Sequence, residues 1–191
     1  GCGTGYSVNV IGSKIRGVYV GIDTSEQSLA ILENKKKIYA DLKLKTICCP
    51  AQALLNKTKR KMVLNKLGSK PNLIVCNASF HQINKTFPHI DLLIMAFHEL
   101  LRKGEIVLLG DYFYPAHLTR AQIAKSRQWI RKQIRQNPTK ASGFLSPDTI
   151  IDMLESAGFK IKSTHICKAH DEMDLHHYVV SCIKQGKDIY E

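Results

Sequence analysis

The order of its apolar runs limits the fold of this sequence more than any other feature. Residues 18–22 form a short β-branched run, and 25–35 follow with helical periodicity, with Thr24 or Ser25 as the N-cap. Residues 45–49 read as a strand stopped by Pro50, and 51–67 as a helix that is polar and basic on one face. The pattern repeats with a strand over 72–77, a helix over 90–102 that Gly104 ends as a C′ glycine, and an apolar strand over 105–111. Strands alternating with helices in this way call for a mostly parallel sheet covered on both faces.

The last third changes pattern. A basic helix is expected over 119–135, and a second helix over 147–157 that Gly158 ends. Two strands, 160–167 and 176–183, then follow with only a loop between them. So short a loop joins antiparallel strands and not a parallel crossover, so the sheet should finish in a hairpin. No internal repeat or low-complexity linker interrupts the 191 residues, and one α/β domain over 1–191 is expected.

Composition narrows the class. Apolar residues at 44% and charged residues at 23% place the chain among globular proteins. Its apolar runs, such as 90–97 and 106–110, fall far short of the ~20 residues of a membrane span. No basic-then-apolar leader is visible, so no membrane partner and a cytoplasmic location are expected. Six cysteines include no C-x-x-C pair, which argues against a metal site and for buried free thiols. The net charge of +12 is unusual and would attract RNA, DNA or an acidic surface.

The chain opens on Gly1, Cys2, Gly3, Thr4 and Gly5. Glycines at alternate positions let a backbone turn tightly and approach a ligand closely. Such a turn lies at the carboxyl edge of a parallel sheet, where these folds bind ligands. Asp23 ends the next strand, where a carboxylate accepts hydrogen bonds from ribose hydroxyls or caps the following helix. The dinucleotide fingerprint G-x-G-x-x-G/A needs a small third residue, and this chain has Tyr6 there. NAD is therefore not the expected ligand.

These pieces, with Val18-Tyr19-Val20-Gly21-Ile22-Asp23, Asn72-Leu73-Ile74-Val75-Cys76-Asn77, Leu101-Arg102-Lys103-Gly104-Glu105-Ile106-Val107-Leu108 and Glu155-Ser156-Ala157-Gly158-Phe159, together resemble the class I S-adenosylmethionine-dependent methyltransferases. They follow the family's order and rough spacing over almost the whole chain. The resemblance implies a Rossmann-like methyltransferase fold and S-adenosyl-L-methionine as cofactor. It implies that residues 1–5, Asp23 and Thr24 hold that cofactor, with Ala51 and Gln52 at the adenine and Asn77 at the mouth of the site. The family often has an acid near the adenine, and this chain has Pro50-Ala51-Gln52 there.

One departure is large. In the family an apolar strand ending in an acid comes immediately before the glycine loop and lies centrally in the sheet. This sequence begins at Gly1 and does not show it. Either the chain is a piece of a longer one or another segment fills that place. The expectation is that the chain as it stands holds the cofactor weakly, because two inner strands would lack a partner.

Methyl transfer needs alignment of nucleophile, carbon and sulfur, and a base only where the acceptor must lose a proton. The candidates for binding and acting on the acceptor are His81, Asp111, Tyr112 and Tyr114, with His81 and Tyr112 as catalytic candidates. His81 either orients or deprotonates an acceptor, or bonds local backbone in a loop. Phe113 is expected in the core and Tyr112 in the pocket. Residues 57–70 carry Lys57, Lys59, Arg60, Lys61, Lys66 and Lys70 and no acid. Residues 120–140 carry seven basic residues and no acid. These runs are solvated helix faces or phosphate contacts. Asn77-Ala78-Ser79-Phe80 is distantly similar to the Asn-Pro-Pro-Tyr slot of enzymes that methylate base amines, without both prolines. Three functions follow in order: methylation of a small-molecule acceptor, methylation of nucleic acid, and a methyltransferase-like domain that binds a partner without catalysis.

Overall fold

A computed structural model describes residues 1–14, 16–39, 41–114, 143–170 and 175–186. Helix α1 (Tyr6–Ile11) follows the glycine turn and leads to strand β1 (Gly17–Asp23). Helix α2 (Glu26–Asn34) and strand β2 (Leu42–Cys48) come next, then a 3-10 turn (Ala51–Leu55) and helix α3 (Lys57–Leu67). Strand β3 (Leu73–Asn77), helices α4 (Phe80–Thr86) and α5 (Ile90–Leu100) and strand β4 (Ile106–Phe113) continue the alternation. Helix α6 (Pro147–Ser156) and strands β5 (Phe159–His170) and β6 (Leu175–Lys184) complete it.

The strands form two sheets. β1 pairs in parallel with β2, from Gly17 opposite Leu42 to Asp23 opposite Cys48. The other sheet has the order β3-β4-β6-β5. β3 is parallel to β4, with Asn77 opposite Gly110. β6 runs antiparallel to both β4 and β5, so the terminal hairpin is present and its second strand inserts beside β4.

Among the described residues no strand lies between β1 and β3. A cavity of about 560 Å³ separates them, lined by Val18 and Val20 on one side, Ile74 and Val75 on the other, and Phe97 and Leu100 of α5. The place that the sequence comparison left unfilled is thus an open slot. Among the described residues, hydrogen bonds from Gly1, Cys2 and Ser79 bridge its upper end. The amino group of Gly1 and the N–H of Cys2 both donate to the carbonyl of Ile22, at 2.7 and 2.9 Å. The Ser79 hydroxyl donates to the Gly1 carbonyl at 2.8 Å.

The main core lies where α5 and α6 cover the four-stranded sheet. Leu93 and Ile94 of α5, Ile150 and Leu154 of α6, Leu109 of β4 and Val180 of β6 are wholly buried. Each such side chain contributes roughly 1.5–3 kcal/mol relative to exposure. Lys184 is also buried, and its ammonium donates to the Leu101 carbonyl at 2.9 Å, tying the end of β6 to the end of α5. A smaller cluster of Val8, Leu29, Leu32, Leu42 and Leu44 joins α1 and α2 to β2.

Several boundaries differ from expectation for local reasons. The single helix expected over 51–67 breaks at Asn56, whose Oδ1 accepts from Thr58 and Lys59 and so starts α3 afresh. Arg60 donates back to the carbonyls of Leu54 and Leu55, which holds the preceding turn. α5 ends because Leu101 turns extended and fully buried; Gly104, with φ of 85°, serves the next turn and not the helix end. α4 replaces the loop expected around His81. All six cysteines are free, but Cys48 and Cys167 are exposed, which corrects the expectation of burial. The basic helix expected over 119–135 lies outside the described residues. Among the described residues no helix is long and apolar enough to cross a membrane.

Candidate functional site

The glycine turn is held to the end of β1 by one carboxylate. Asp23 accepts the Gly3 N–H on Oδ2 at 2.7 Å and the Ser25 N–H on Oδ1 at 2.9 Å. The side chain that caps α2 is Ser25, which accepts from Ser28. Asp23 therefore does not serve as that cap. A carboxylate offers about four acceptor sites, so about two remain for a ligand. Gly3 and Gly5 have φ of 51° and 81°. A Cβ added at Gly3 would meet nothing within 4 Å, so the space above that turn is open. A Cβ at Gly5 would lie 2.4 Å from Leu32 Cδ1.

The remaining residues of this edge take different parts. Cys2 turns its thiol inward, where a Cβ on Gly21 would lie 2.9 Å from it, and burial pushes that thiol up to about 11. Thr4 and Thr24 are exposed, and Ala51 and Gln52 are half-buried in the 3-10 turn after β2. The Cys49 N–H donates to the Asp23 carbonyl at 2.9 Å, which fixes that turn beside the carboxylate.

A second cluster follows β3. Ala78 has φ of 53°, a left-handed conformation that non-glycine residues adopt at a cost of roughly 1–2 kcal/mol. The kink lets the Ala78 N–H bond the Gly110 carbonyl at 2.8 Å and turns Ser79 to Gly1. Two residues on, His81 meets Asp111. The carboxylate accepts the His81 backbone N–H at 2.7 Å, the His81 ring at Nδ1 at 2.7 Å and the Tyr112 N–H at 2.8 Å. Asp111 is 1% exposed. A carboxylate only accepts, so in the neutral ring the proton sits on Nδ1 and Nε2 is an acceptor. The Gln82 amide nitrogen, 2.9 Å from Nε2, fits that assignment as a donor.

Aromatic rings surround this pair. The His81 ring lies with its centroid 6.2 Å from Tyr112 and 5.2 Å from Phe144, and Tyr114 meets Phe144 edge-on. Burial, and then the Asp111 charge, push the Tyr112 hydroxyl up, so it stays protonated at neutral pH. Phe113 is in the core, as expected. Asn77 Oδ1 lies 2.9 Å from Nε2 of His177, whose ring packs 5.2 Å from Tyr112. Burial lowers the affinity of His177 for a proton.

The structure thus brings His81, Asp111, Tyr112 and Asn77 together, with Tyr114 at one remove through Phe144. Sequence reasoning missed Ser79, Phe144 and His177. For His177 a signal existed: β6 alternates, and its partner in register is Tyr112. Phe144 carried none. Among the described residues no group of acids, histidines and cysteines suits a metal ion.

These features define an α/β fold with a partly exposed carboxylate, Asp23, beside an open glycine turn. The similarity of this chain to known proteins agrees. A family model described as a methyltransferase domain matches residues 1–164. The chain belongs to that methyltransferase family. No curated protein matches the sequence. Among solved structures, an S-adenosylmethionine-dependent methyltransferase from Methanosarcina mazei aligns at a TM-score of 0.61 and 14% identity, over 96% of this chain and 89% of that one. Phosphoethanolamine N-methyltransferase 2 of Haemonchus contortus, with phosphomonomethylethanolamine and S-adenosylhomocysteine, aligns at 0.63 and 13%, over 97% of this chain and 48% of that one. The cyclase SpnF aligns at 0.64 and 12%, over 96% and 72%. At such identities the likeness shows the Rossmann-like fold alone, and that fold carries more than one chemistry.

Proposed function

We propose that this chain transfers the methyl group of S-adenosylmethionine to a small-molecule acceptor bound against His81, Asp111, Tyr112 and Tyr114. In this reading the backbone of residues 1–5 approaches the cofactor, Asp23 binds its ribose, Thr24 borders it, and Ala51 and Gln52 face the adenine. Asn77 stands between cofactor and acceptor. The cofactor supplies an electrophilic methyl group on sulfur. The residues of the chain supply alignment, and His81 supplies a place for a proton.

The observation that carries the reading is the Ser79 bond to Gly1. It joins the glycine turn to the segment that bears His81, so the cofactor edge and the acid–base pair are neighbours. The aromatic rings of Tyr112, Phe144 and Tyr114 gathered beside His81 suit a small acceptor. The basic run of α3 offers phosphate contacts less than its charge suggests. Arg60 donates to Leu54 and Leu55, and Lys66 donates to the Thr46 carbonyl. Part of that charge is therefore used within the fold.

The test is transfer of a labelled methyl group from S-adenosylmethionine to a panel of small hydroxyl, amine and thiol compounds and to RNA, with RNA binding followed against salt. Label in small molecules with no low-salt RNA binding is expected. Label only in RNA, with steep salt dependence, would move the reading to nucleic acid.

A further inference from the structure

We infer that His81 is the general base of this site, that Asp111 is its positioning residue, and that the acceptor is a hydroxyl on an aromatic ring. The inference rests on the reading of the site given above. It adds the acceptor chemistry, which nothing in the family likeness decides.

The geometry around His81 is one-sided. Its Nδ1 and its backbone N–H are both held by the Asp111 carboxylate, each at 2.7 Å. Two bonds from one buried acid to the ring and the backbone of the same residue fix the ring's position as well as its tautomer. Nε2 is left facing outward, and its partner is the exposed Gln82 side chain. Gln82 donates where an acceptor O–H would donate. A hydroxyl can therefore take that place by exchanging one donor for another, with no buried group left unpaired. An acceptor already deprotonated, or one that presents only a lone pair, would meet an acceptor nitrogen and gain nothing.

The walls point to the body of the acceptor. The rings of Tyr112 and Phe144 flank His81, and His177 follows beyond Tyr112. Flat aromatic bodies stack or pack edge-on against such rings. In the transfer, the O–H proton goes to Nε2 of His81. The oxygen lone pair forms the new oxygen–carbon bond as the carbon–sulfur bond breaks, and that bond's electron pair stays on sulfur. The imidazolium so formed keeps its Nδ1–H on the Asp111 carboxylate.

The experiment uses the whole chain and three measurements. First, nitrogen NMR of His81 in neutral buffer without cofactor should show a proton on Nδ1 and none on Nε2, and Asp111→Asn should raise the Nε2–H form. A wild-type ring protonated on Nε2 overturns the inference. Second, wild type and His81→Gln are compared by thermal melting and by calorimetric binding of S-adenosylhomocysteine, where both should behave alike. Absence of binding in the wild type counts against the underlying reading and not against the tautomer result. Third, methylation of para-cresol and para-nitrophenol is measured in both proteins. His81→Gln should lose about 10²–10⁴-fold on para-cresol and far less on para-nitrophenol, which is already about half ionised at neutral pH. Equal losses on the two phenols, or methylation of amines but of neither phenol by a protein that binds S-adenosylhomocysteine, overturn the inference.

Discussion

Asp111 holds His81 twice, once at Nδ1 of the ring and once at the backbone N–H, and accepts the Tyr112 N–H as well. With 1% exposure it has no water to replace those partners. Removing it strands three donors, whereas removing the His81 side chain strands none of the backbone ones. Asp111→Ala should therefore lower stability by several kcal/mol, at about 1–3 kcal/mol per stranded group. His81→Ala should cost clearly less. Denaturant midpoints of the two variants check the order, and equal losses would contradict it.

The glycine turn separates two costs. Gly5→Ala puts a methyl group 2.4 Å from Leu32, a buried residue, at a φ of 81°. It should destabilise the fold by roughly 1–3 kcal/mol. Gly3→Ala meets open space and pays only for its φ of 51°, about 1–2 kcal/mol at most. Its methyl group projects where the cofactor is proposed to lie. Gly3→Ala should melt closer to wild type than Gly5→Ala yet bind S-adenosylhomocysteine more weakly than wild type. Unchanged binding in Gly3→Ala would place the cofactor elsewhere.

The fold was legible because its signals are local and repeated. Period-two and period-3.6 runs gave the strands and most helices, and the short loop before β6 gave the hairpin. The glycine turn and Asp23 were legible as a pair from their spacing, and the Gly3 N–H bond to the Asp23 carboxylate joins them. The His81–Asp111 bond was not legible, since it joins residues 30 apart across a sheet edge. Both residues were named as candidates, but nothing in the sequence said that they meet. The break at Asn56 was readable in principle as an N-cap within a helical run. The buried end of α5 at Leu101 was not, because tertiary packing and not a glycine ends that helix.

The open slot has a dynamic consequence. Among the described residues β4 is paired on both sides, by β3 and β6, whereas β1 and β3 each have one partner. Among the described residues, the amides of β1 and β3 that face the slot have no strand partner. They should exchange hydrogen faster than the amides of β4, by orders of magnitude at the core positions Val107 and Leu109. Exchange measured residue by residue tests this. Protection of the slot-facing amides equal to that of β4 would mean that something pairs them.

His177 gives the site an acid sensitivity. Burial lowers its affinity for a proton below the ordinary value of 6.5. Above 6.5 the folded and unfolded chains both hold it neutral, and it contributes no pH dependence. As pH falls through 6.5 the unfolded chain takes up the proton first, so stability falls, and the loss levels off below the folded value. His177→Gln should lose less stability than wild type between neutral and mildly acidic pH. Melting of both proteins across that range checks it, and identical slopes would contradict the assignment.

The central claim is that S-adenosylmethionine sits on the glycine turn with its ribose at Asp23. Calorimetric titration of the wild type and of Asp23→Asn with S-adenosylhomocysteine tests it most directly. Measurable binding is expected in the wild type. Asp23→Asn should weaken it by about tenfold or more, the scale of the ~1.5–3 kcal/mol that a hydrogen bond to a charged group contributes. Equal binding by the two proteins would contradict the account.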